Sequence, residues 1–204
     1  MQHGADIVIN SITKFLAGHS EVTLGYVAAR DPGLRTAIYD APVTWGTTPS
    51  PFDCWLAERG LHTFDLRFEK AQATAAALAD ALAGRDGIRQ VIYPGRADHP
   101  HHNRAGTLFG GQFGNMLSFE IEGGRDEVNS FVMNAGGIPF APTLGDVGCT
   151  LSHPASSSHR ALTTEGRAAL GISEGYFRLS VGIEPPELVL AELDAALAAV
   201  RGES

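Results

Sequence analysis

A short apolar run near the N-terminus ends abruptly in a polar cluster, and this pattern constrains the fold more than any other. The run at 7–9 (IVI) predicts a short buried strand, because β-branched residues in a brief continuous apolar stretch are typical of one. It stops at Asn10 and is followed by Ser11, Thr13 and Lys14. If the strand pleat continues, Ser11 and Thr13 point to one side, where two hydroxyls could hold an anionic group such as a phosphate.

Lys14 at the end of this strand suggests a particular chemistry. An amine against an apolar wall is poorly solvated as an ammonium ion, so it becomes a usable nucleophile or base. The chain has only two lysines, and the other, Lys70, lies in a helical pattern that predicts a solvated side chain. Chemistry that needs a primary amine therefore falls to Lys14. A surface lysine after a strand is the alternative interpretation of the same spacing.

The composition limits the classes of partner. The 204 residues are 44% hydrophobic and carry a formal net charge of −8, which argues against nucleic acid or an anionic membrane as a partner. We find no apolar run long enough to span a bilayer and no signal-peptide pattern. Cys54 and Cys149 lack zinc-type spacing, so we expect two reduced thiols in a cytoplasmic protein.

Strand and helix patterns alternate along the chain, which predicts an α/β or α+β fold. Helices are expected from 32, over 52–83 with a break at Gly60, and at 125–135, 163–171 and 185–200. Strands are expected at 22–30, 88–95, 115–123 and 175–184, and a strand followed by a loop within 137–146. Gly84 and the turn signal Asp86-Gly87 place a domain boundary after residue 84.

Arg178 is the second candidate for chemistry. Alternation along the strand places Phe177, Leu179, Val181 and Ile183 on one face, and Arg178 on the other among small and polar residues. An arginine in that position can bind a carboxylate with two parallel hydrogen bonds. A structural salt bridge to a nearby acid is the alternative.

The segment GADIVINSITKFLAGHSE, with its S-x-T-K run, resembles the lysine segment of the pyridoxal-phosphate enzymes of cysteine and methionine metabolism, the trans-sulfuration family. The resemblance continues in family order through nearly the whole chain, at 48–64, 93–102, 110–124, 153–159 and 177–184. It implies that Lys14 forms a Schiff base with pyridoxal 5'-phosphate and acts in catalysis. It also implies that Ser11 and Thr13 bind the cofactor phosphate.

The resemblance assigns further residues to substrate binding. Arg178, in an R-L-S-x-G-x-E run, matches the arginine that binds the α-carboxylate of the amino-acid substrate. Thr143, in the run TLGD, matches a serine that borders the same carboxylate. Gly148 stands where the family commonly has an acid near the distal end of the substrate, which argues against a substrate with a distal ammonium group. We expect no metal site, and the histidines at 99–102 match a surface connection.

The resemblance also implies the architecture. We expect an aspartate-aminotransferase-like (type I) fold, with 1–84 as the end of the large cofactor domain and 85–204 as the small C-terminal domain. The resemblance also implies that the family's N-terminal half is not part of this chain. We therefore expect the partners to be a small amino-acid substrate and either that half or a partner chain, in a homo-oligomer. Without that half, residues 7–9 and the helices after Pro51 should expose apolar surface.

The function expected from the resemblance is that of a carbon–sulfur lyase, similar to cystathionine or methionine gamma-lyase. Such an enzyme eliminates a thiol from the β or γ carbon of a sulfur amino acid and yields a keto acid and ammonia. A cystathionine gamma-synthase or homoserine sulfhydrylase would use the same residues. A non-catalytic remnant that kept the fold is a third possibility, from a different class.

Overall fold

The computed structural model describes residues 4–203 and divides into two compact units, 1–65 and 66–204. The first unit contains strands β1 (Ile7–Ser11) and β2 (Gly25–Ala29), and helices α1 (Pro32–Trp45) and α2 (Pro51–Leu61). Helix α3 (Phe64–Leu82) begins at the end of this unit and continues into the second. No helix in the described range is long and apolar enough to cross a membrane.

Strands β1 and β2 form a two-stranded antiparallel sheet, in which Ile7 pairs with Ala29 and Ser11 with Gly25. The prediction of a strand at 7–9 is confirmed, but the prediction that it is buried is wrong. Ile7 is 44% exposed and Ile9 74% exposed. Strand β1 pairs with β2 alone, and a two-stranded sheet buries little of its surface. The expectation of exposed apolar surface at 7–9 is thereby confirmed.

Helices α1 and α2 both begin with a side-chain cap. The Leu34 amide donates to Asp31 Oδ1 at 2.8 Å, and the Asp53 amide donates to Ser50 Oγ at 3.1 Å. Such caps satisfy amides that have no partner within the helix. The expected apolar surface after Pro51 is also present, since large α2 side chains such as Phe52 and Trp55 are more than half exposed.

Helix α2 includes Gly60 and ends at Leu61, so the helix ends one residue after the predicted break. A Cβ atom at Gly60 would lie 2.5 Å from the Ala17 carbonyl oxygen and 2.9 Å from the Ala17 Cα. Gly60 is therefore a site of close backbone approach rather than a helix breaker. This approach packs α2 against the segment that follows Lys14.

The second unit contains a four-stranded antiparallel sheet of β3 (Ile88–Ile92), β4 (Met116–Ile121), β5 (Thr150–Ser152) and β6 (Tyr176–Ser180). The strand order is β3-β4-β6-β5, so β6 is central. Its helices besides α3 are α4 (His102–Phe109), α5 (Arg125–Asn134), α6 (Thr164–Ala169) and α7 (Pro186–Arg201).

One hydrophobic core joins this sheet to α3, α5 and α7. Three aromatic rings lie at its centre. Phe119 and Phe131 meet edge to face at 5.8 Å between ring centroids, Phe119 and Phe177 are stacked at 5.6 Å, and Phe131 and Phe177 are tilted at 4.9 Å. Leu78 of α3 and Leu193 of α7 are fully buried in the same core. The apolar face predicted for β6 is confirmed at its first three members, since Phe177, Leu179 and Val181 are fully buried, but the strand ends at Ser180 and Ile183 is 39% exposed.

The prediction of a strand within 137–146 is wrong, because this stretch forms only one isolated bridge, between Phe140 and Leu151. Strand β5 and helix α4 were not predicted. The 139–141 stretch forms two backbone bonds with Leu151: Leu151 N to Pro139 O and Ala141 N to Leu151 O, each 2.9 Å. Pro139 faces Leu151 and has no N–H group to donate, which prevents the ladder from extending in that direction.

The boundary between the two compact units lies at 65/66, inside α3. Helix α3 contributes Ala75, Leu78, Ala79 and Leu82 to the core of the second unit, which explains why it groups with the sheet. The family-type division into 1–84 and 85–204 stays a prediction.

We predict that Gly60→Ala destabilises the protein. Alanine is the better helix former by about 1 kcal/mol, but the added methyl collides with Ala17 backbone atoms, and overpacking of this kind costs roughly 1–3 kcal/mol. Urea unfolding should show the loss. Gly84→Ala is the matched control, because a Cβ atom there meets nothing within 4 Å. Equal stability of the two variants would contradict the proposed close approach.

Candidate active site

Lys14 lies in a wide turn, Ile12–Leu16, that follows β1 directly. The amides of Ile12 and Thr13 both donate to the Leu24 carbonyl, at 2.9 and 3.1 Å. Within the turn, Lys14 itself is non-helical, with φ −80° and ψ −145°, and its carbonyl accepts from the Gly18 amide at 2.9 Å. The lysine backbone is thus fixed on both sides in an extended conformation.

The Lys14 side chain is half-buried. Among residues 4–203, no side chain or carbonyl forms a hydrogen bond or ion pair with its amine. An amine that is held by its backbone but has no internal partner can react with a carbonyl compound.

The two hydroxyls beside Lys14 differ in their bonding. Thr13 Oγ1 donates to the Leu24 carbonyl at 3.1 Å and accepts from the Leu24 amide at 2.9 Å. Ser11 forms no side-chain hydrogen bond within the described part of the chain. The pleat ends at Ser11, so the strand alternation expected to align Ser11 with Thr13 does not extend to Thr13. Ser11 is therefore the hydroxyl that is available to an external anion.

Arg178 lies on the central strand β6, where it pairs with Ser118 of β4 and Ser152 of β5. Its Nη2 donates to the Thr143 carbonyl at 3.2 Å. Its Nε is buried and has no hydrogen-bond partner, and no acid of the described chain forms an ion pair with the guanidinium. A buried donor without a partner is costly unless a ligand satisfies it. This geometry favours an anion site over a structural salt bridge.

Thr143 and Arg178 are thus brought together, as expected for residues that border one carboxylate. The same Thr143 carbonyl also accepts from Thr150 Oγ1 at 3.4 Å. Two residues further on, the Gly145 amide donates to Ser180 Oγ at 2.9 Å. Lys14, Ser11 and Thr13 belong to the first compact unit, and Thr143 and Arg178 to the second.

Cys149 and Glu184 form a contact that sequence reasoning missed. The Cys149 amide donates to Glu184 Oε1 at 2.6 Å, and its thiol donates to Glu184 Oε2 at 3.2 Å. Burial, together with the Glu184 carboxylate, raises the pKa of the Cys149 thiol to about 12, so the thiol stays protonated. The partners are 35 residues apart, and no spacing signal links them. Cys54 is exposed and Cys149 buried, and both are free thiols as expected.

His153 and His102 make contacts that are typical of structural residues. His153 is buried, with its ring nitrogens 2.7 Å from Ser156 Oγ and from the Glu174 carbonyl, and burial lowers the pKa of its imidazole. His102 stacks on Phe113 with ring centroids 5.2 Å apart. Within residues 4–203 no group of three potential ligands could hold a metal ion.

Comparison with known proteins places these features in a family. Residues 1–198 match the family described as Cys/Met metabolism PLP-dependent enzyme. The chain belongs to this family. It is 40% identical over 194 residues to a cystathionine beta-lyase of Bacillus subtilis, covering 95% of this chain and 49% of the relative. It is 37% identical to an O-succinylhomoserine sulfhydrylase of Pseudomonas aeruginosa, covering 97% of this chain and 48% of the relative.

A solved structure extends the match to the fold. A cystathionine gamma synthase of Xanthomonas oryzae pv. oryzae superposes with a TM-score of 0.89 at 43% identity, covering 100% of this chain and 52% of that chain. The α/β content and this neighbour are consistent with the aspartate-aminotransferase-like fold of the family. The chain spans about half the length of the relatives it matches. The predicted family is confirmed, and pyridoxal phosphate is the cofactor of that family.

We predict different effects on stability for the two hydroxyl residues. Thr13→Val removes a group that both donates to and accepts from the Leu24 backbone, and should reduce the free energy of unfolding by about 1–3 kcal/mol. Ser11→Ala removes no internal hydrogen bond and should leave stability unchanged. Thermal unfolding of both variants measures the difference. Equal losses would mean that the Thr13–Leu24 bonds do not hold the turn.

Proposed function

We propose that this chain is the C-terminal half of a pyridoxal-phosphate-dependent carbon–sulfur lyase of cysteine and methionine metabolism. The observation that supports it most is Lys14, whose extended backbone is fixed by Leu24 and Gly18 while its amine has no partner in the described chain. Such a lyase acts on a sulfur amino acid by β- or γ-elimination and releases a thiol, a keto acid and ammonia.

In this proposal Lys14 holds the cofactor covalently through its amine, and Ser11 holds the cofactor phosphate. The residues fit the group, because within residues 4–203 neither the Ser11 hydroxyl nor the Lys14 amine, three positions along the chain, has a hydrogen-bond partner. The Thr13 hydroxyl donates its proton to the Leu24 carbonyl and so shapes the turn. Its contribution to phosphate binding is therefore secondary to that of Ser11. Bound pyridoxal phosphate supplies an electron sink for negative charge at the substrate Cα.

Lys14 also serves as the general base of the reaction. Once the substrate amino group has released it from the cofactor, its amine would take the proton from the substrate Cα. For a γ-elimination it would first pass that proton on, to the bound cofactor or to water, and would then accept a second one from Cβ. A well-placed base of this kind contributes about 10²–10⁴-fold to the rate. Lys14 is one of two lysines in the chain, and the other, Lys70, lies in helix α3.

Arg178 binds the α-carboxylate of the substrate, and Thr143 borders it. One Nη2 hydrogen is directed to the Thr143 carbonyl, which fixes the orientation of the guanidinium. The buried Nε and the remaining donors can then form the fork that matches a carboxylate. Orientation by a backbone carbonyl leaves the positive charge unneutralised and available to the substrate.

Gly148 favours a substrate without a distal ammonium group, because it provides no acid at that position. This supports a lyase that acts on a small sulfur amino acid. A sulfhydrylase or gamma-synthase is the second candidate, and the similarity to enzymes of both kinds favours it as the alternative. We further propose that activity needs the N-terminal half of the family fold, and that the assembled protein is a cytoplasmic homo-oligomer.

Trapping of the cofactor tests the proposal directly. Pyridoxal phosphate should produce a lysine-linked absorbance band, and borohydride reduction should fix the label on the peptide that contains Lys14. Lys14→Ala should abolish both signals. Lys70→Ala is the matched control and should keep them, since it is the only other lysine of the chain.

The trapping should be done with the chain alone and with the N-terminal half of the Xanthomonas enzyme supplied separately. Label on Lys14 in either case supports the assignment. Absence of label in both, with a folded protein, would favour the non-catalytic remnant.

Arg178→Lys should raise the KM for the amino-acid substrate by about tenfold to a hundredfold, because a lysine cannot form the two parallel bonds. Cofactor absorbance should be unchanged. The assay follows thiol and keto-acid release from cysteine or methionine analogues, and in parallel thiol incorporation with an activated homoserine, which separates lyase from synthase. Arg89→Lys, at an exposed salt bridge with Glu120, is the control. An unchanged KM would reject the assignment of Arg178.

A further inference from the structure

We propose that Glu184 is a positioning residue for the substrate-carboxylate site. It fixes residues 143–149, here called the 143–149 segment, in the conformation that presents Thr143 and orients Arg178. This inference rests on the proposed function, because it assumes that Arg178 binds the substrate carboxylate.

The 143–149 segment has no strand pairing of its own and depends on single contacts. Besides the Arg178 bond at Thr143, the Gly145 amide donates to Ser180 Oγ, and the Val147 carbonyl accepts from the Ile183 amide at 2.8 Å. All of these contacts come from one stretch, the end of β6 and the residues after it. A segment held in this way moves when one of its few contacts is lost.

Glu184 supplies the last contact before β5 begins. Each of its carboxylate oxygens accepts one donor from Cys149, the amide on Oε1 and the thiol on Oε2. The Cys149 sulfur in turn accepts from the Gly182 amide at 3.2 Å. The approach is close, since a Cβ atom at Gly182 would collide with the Val147 carbonyl and with Glu184 Oε2.

The effect of this contact reaches the guanidinium through Thr150. Thr150 follows Cys149 directly and is buried, and its hydroxyl donates to the Thr143 carbonyl at 3.4 Å. That carbonyl is also the acceptor for Arg178 Nη2. A displacement of Cys149 would therefore move the acceptor that orients Arg178.

The contact needs a carboxylate rather than an amide. Cys149 offers two donors, and an ionised carboxylate can accept from both. The thiol stays a donor because it is protonated near neutral pH. Glutamine has one acceptor oxygen, so Glu184→Gln must turn an NH₂ group toward either the Cys149 amide or its thiol. The size of the side chain is retained, and only the bonding changes.

Two readouts in the assembled protein with bound cofactor test the inference in Glu184→Gln. The first is labelling of Cys149 by a maleimide, with exposed Cys54 as the internal reference. The second is the modification of Arg178 by phenylglyoxal, measured on the peptide that contains it. The quantity compared is the L-methionine concentration that halves the rate of this modification, here called the half-protection concentration. 3-(Methylthio)propylamine, which lacks the carboxylate, should not protect. Glu187→Gln, an exposed acid in the first turn of α7, is the matched control.

We expect faster Cys149 labelling and a half-protection concentration raised about tenfold or more in Glu184→Gln, with the melting temperature and Cys54 labelling unchanged. Glu184→Asp should restore part of the protection. Equal half-protection in Glu184→Gln and the parent protein would overturn the inference alone. Lack of methionine protection in the parent protein would instead overturn the proposed carboxylate site, and the inference with it.

Discussion

The backbone of Leu24 anchors the turn that presents Lys14. Its carbonyl accepts from the amides of Ile12 and Thr13 and from the Thr13 hydroxyl, and its amide donates to the same hydroxyl. These bonds fix the chain before Lys14, and the Gly18 amide fixes it after. The extended conformation of the lysine is therefore imposed by its neighbours, and its side chain takes no part in holding the turn. A reactive group can keep its chemistry only if other residues carry the structure around it.

The second unit follows the same principle at Arg178. The regular strand β6 places the arginine, while the irregular 143–149 segment supplies the carbonyl that orients it. The precision of such a site depends on hydrogen bonds from the strand to the segment, because the segment has no ladder of its own. Within residues 4–203 the buried Nε has no hydrogen-bond partner, so it is available to a ligand, as the proposed carboxylate site requires.

Elements of the fold could be predicted where the pattern is local. The alternation at 175–184 predicted β6 and the face that carries Arg178, and the apolar run at 7–9 predicted β1. Burial was predicted less well, since the exposure of Ile9 depends on whether another layer covers the two-stranded sheet. The strand expected within 137–146 did not form because Pro139 has no donor for the ladder, a local signal that outweighs the apolar residues around it.

The candidate site divides in the same way. Lys14 and Ser11 could be proposed from neighbouring residues, because the roles proposed for them depend on a strand end and on the scarcity of lysine in the chain. The partner of Cys149 could not be found, because Glu184 reaches it only when β5 and β6 lie side by side. Thr13 shows the intermediate case. Its position beside Lys14 is evident from the sequence, but its bonds to Leu24 depend on how the chain returns from the turn. The fold decides which segments lie together, and this determines which hydrogen bonds a side chain forms and which roles remain possible for it.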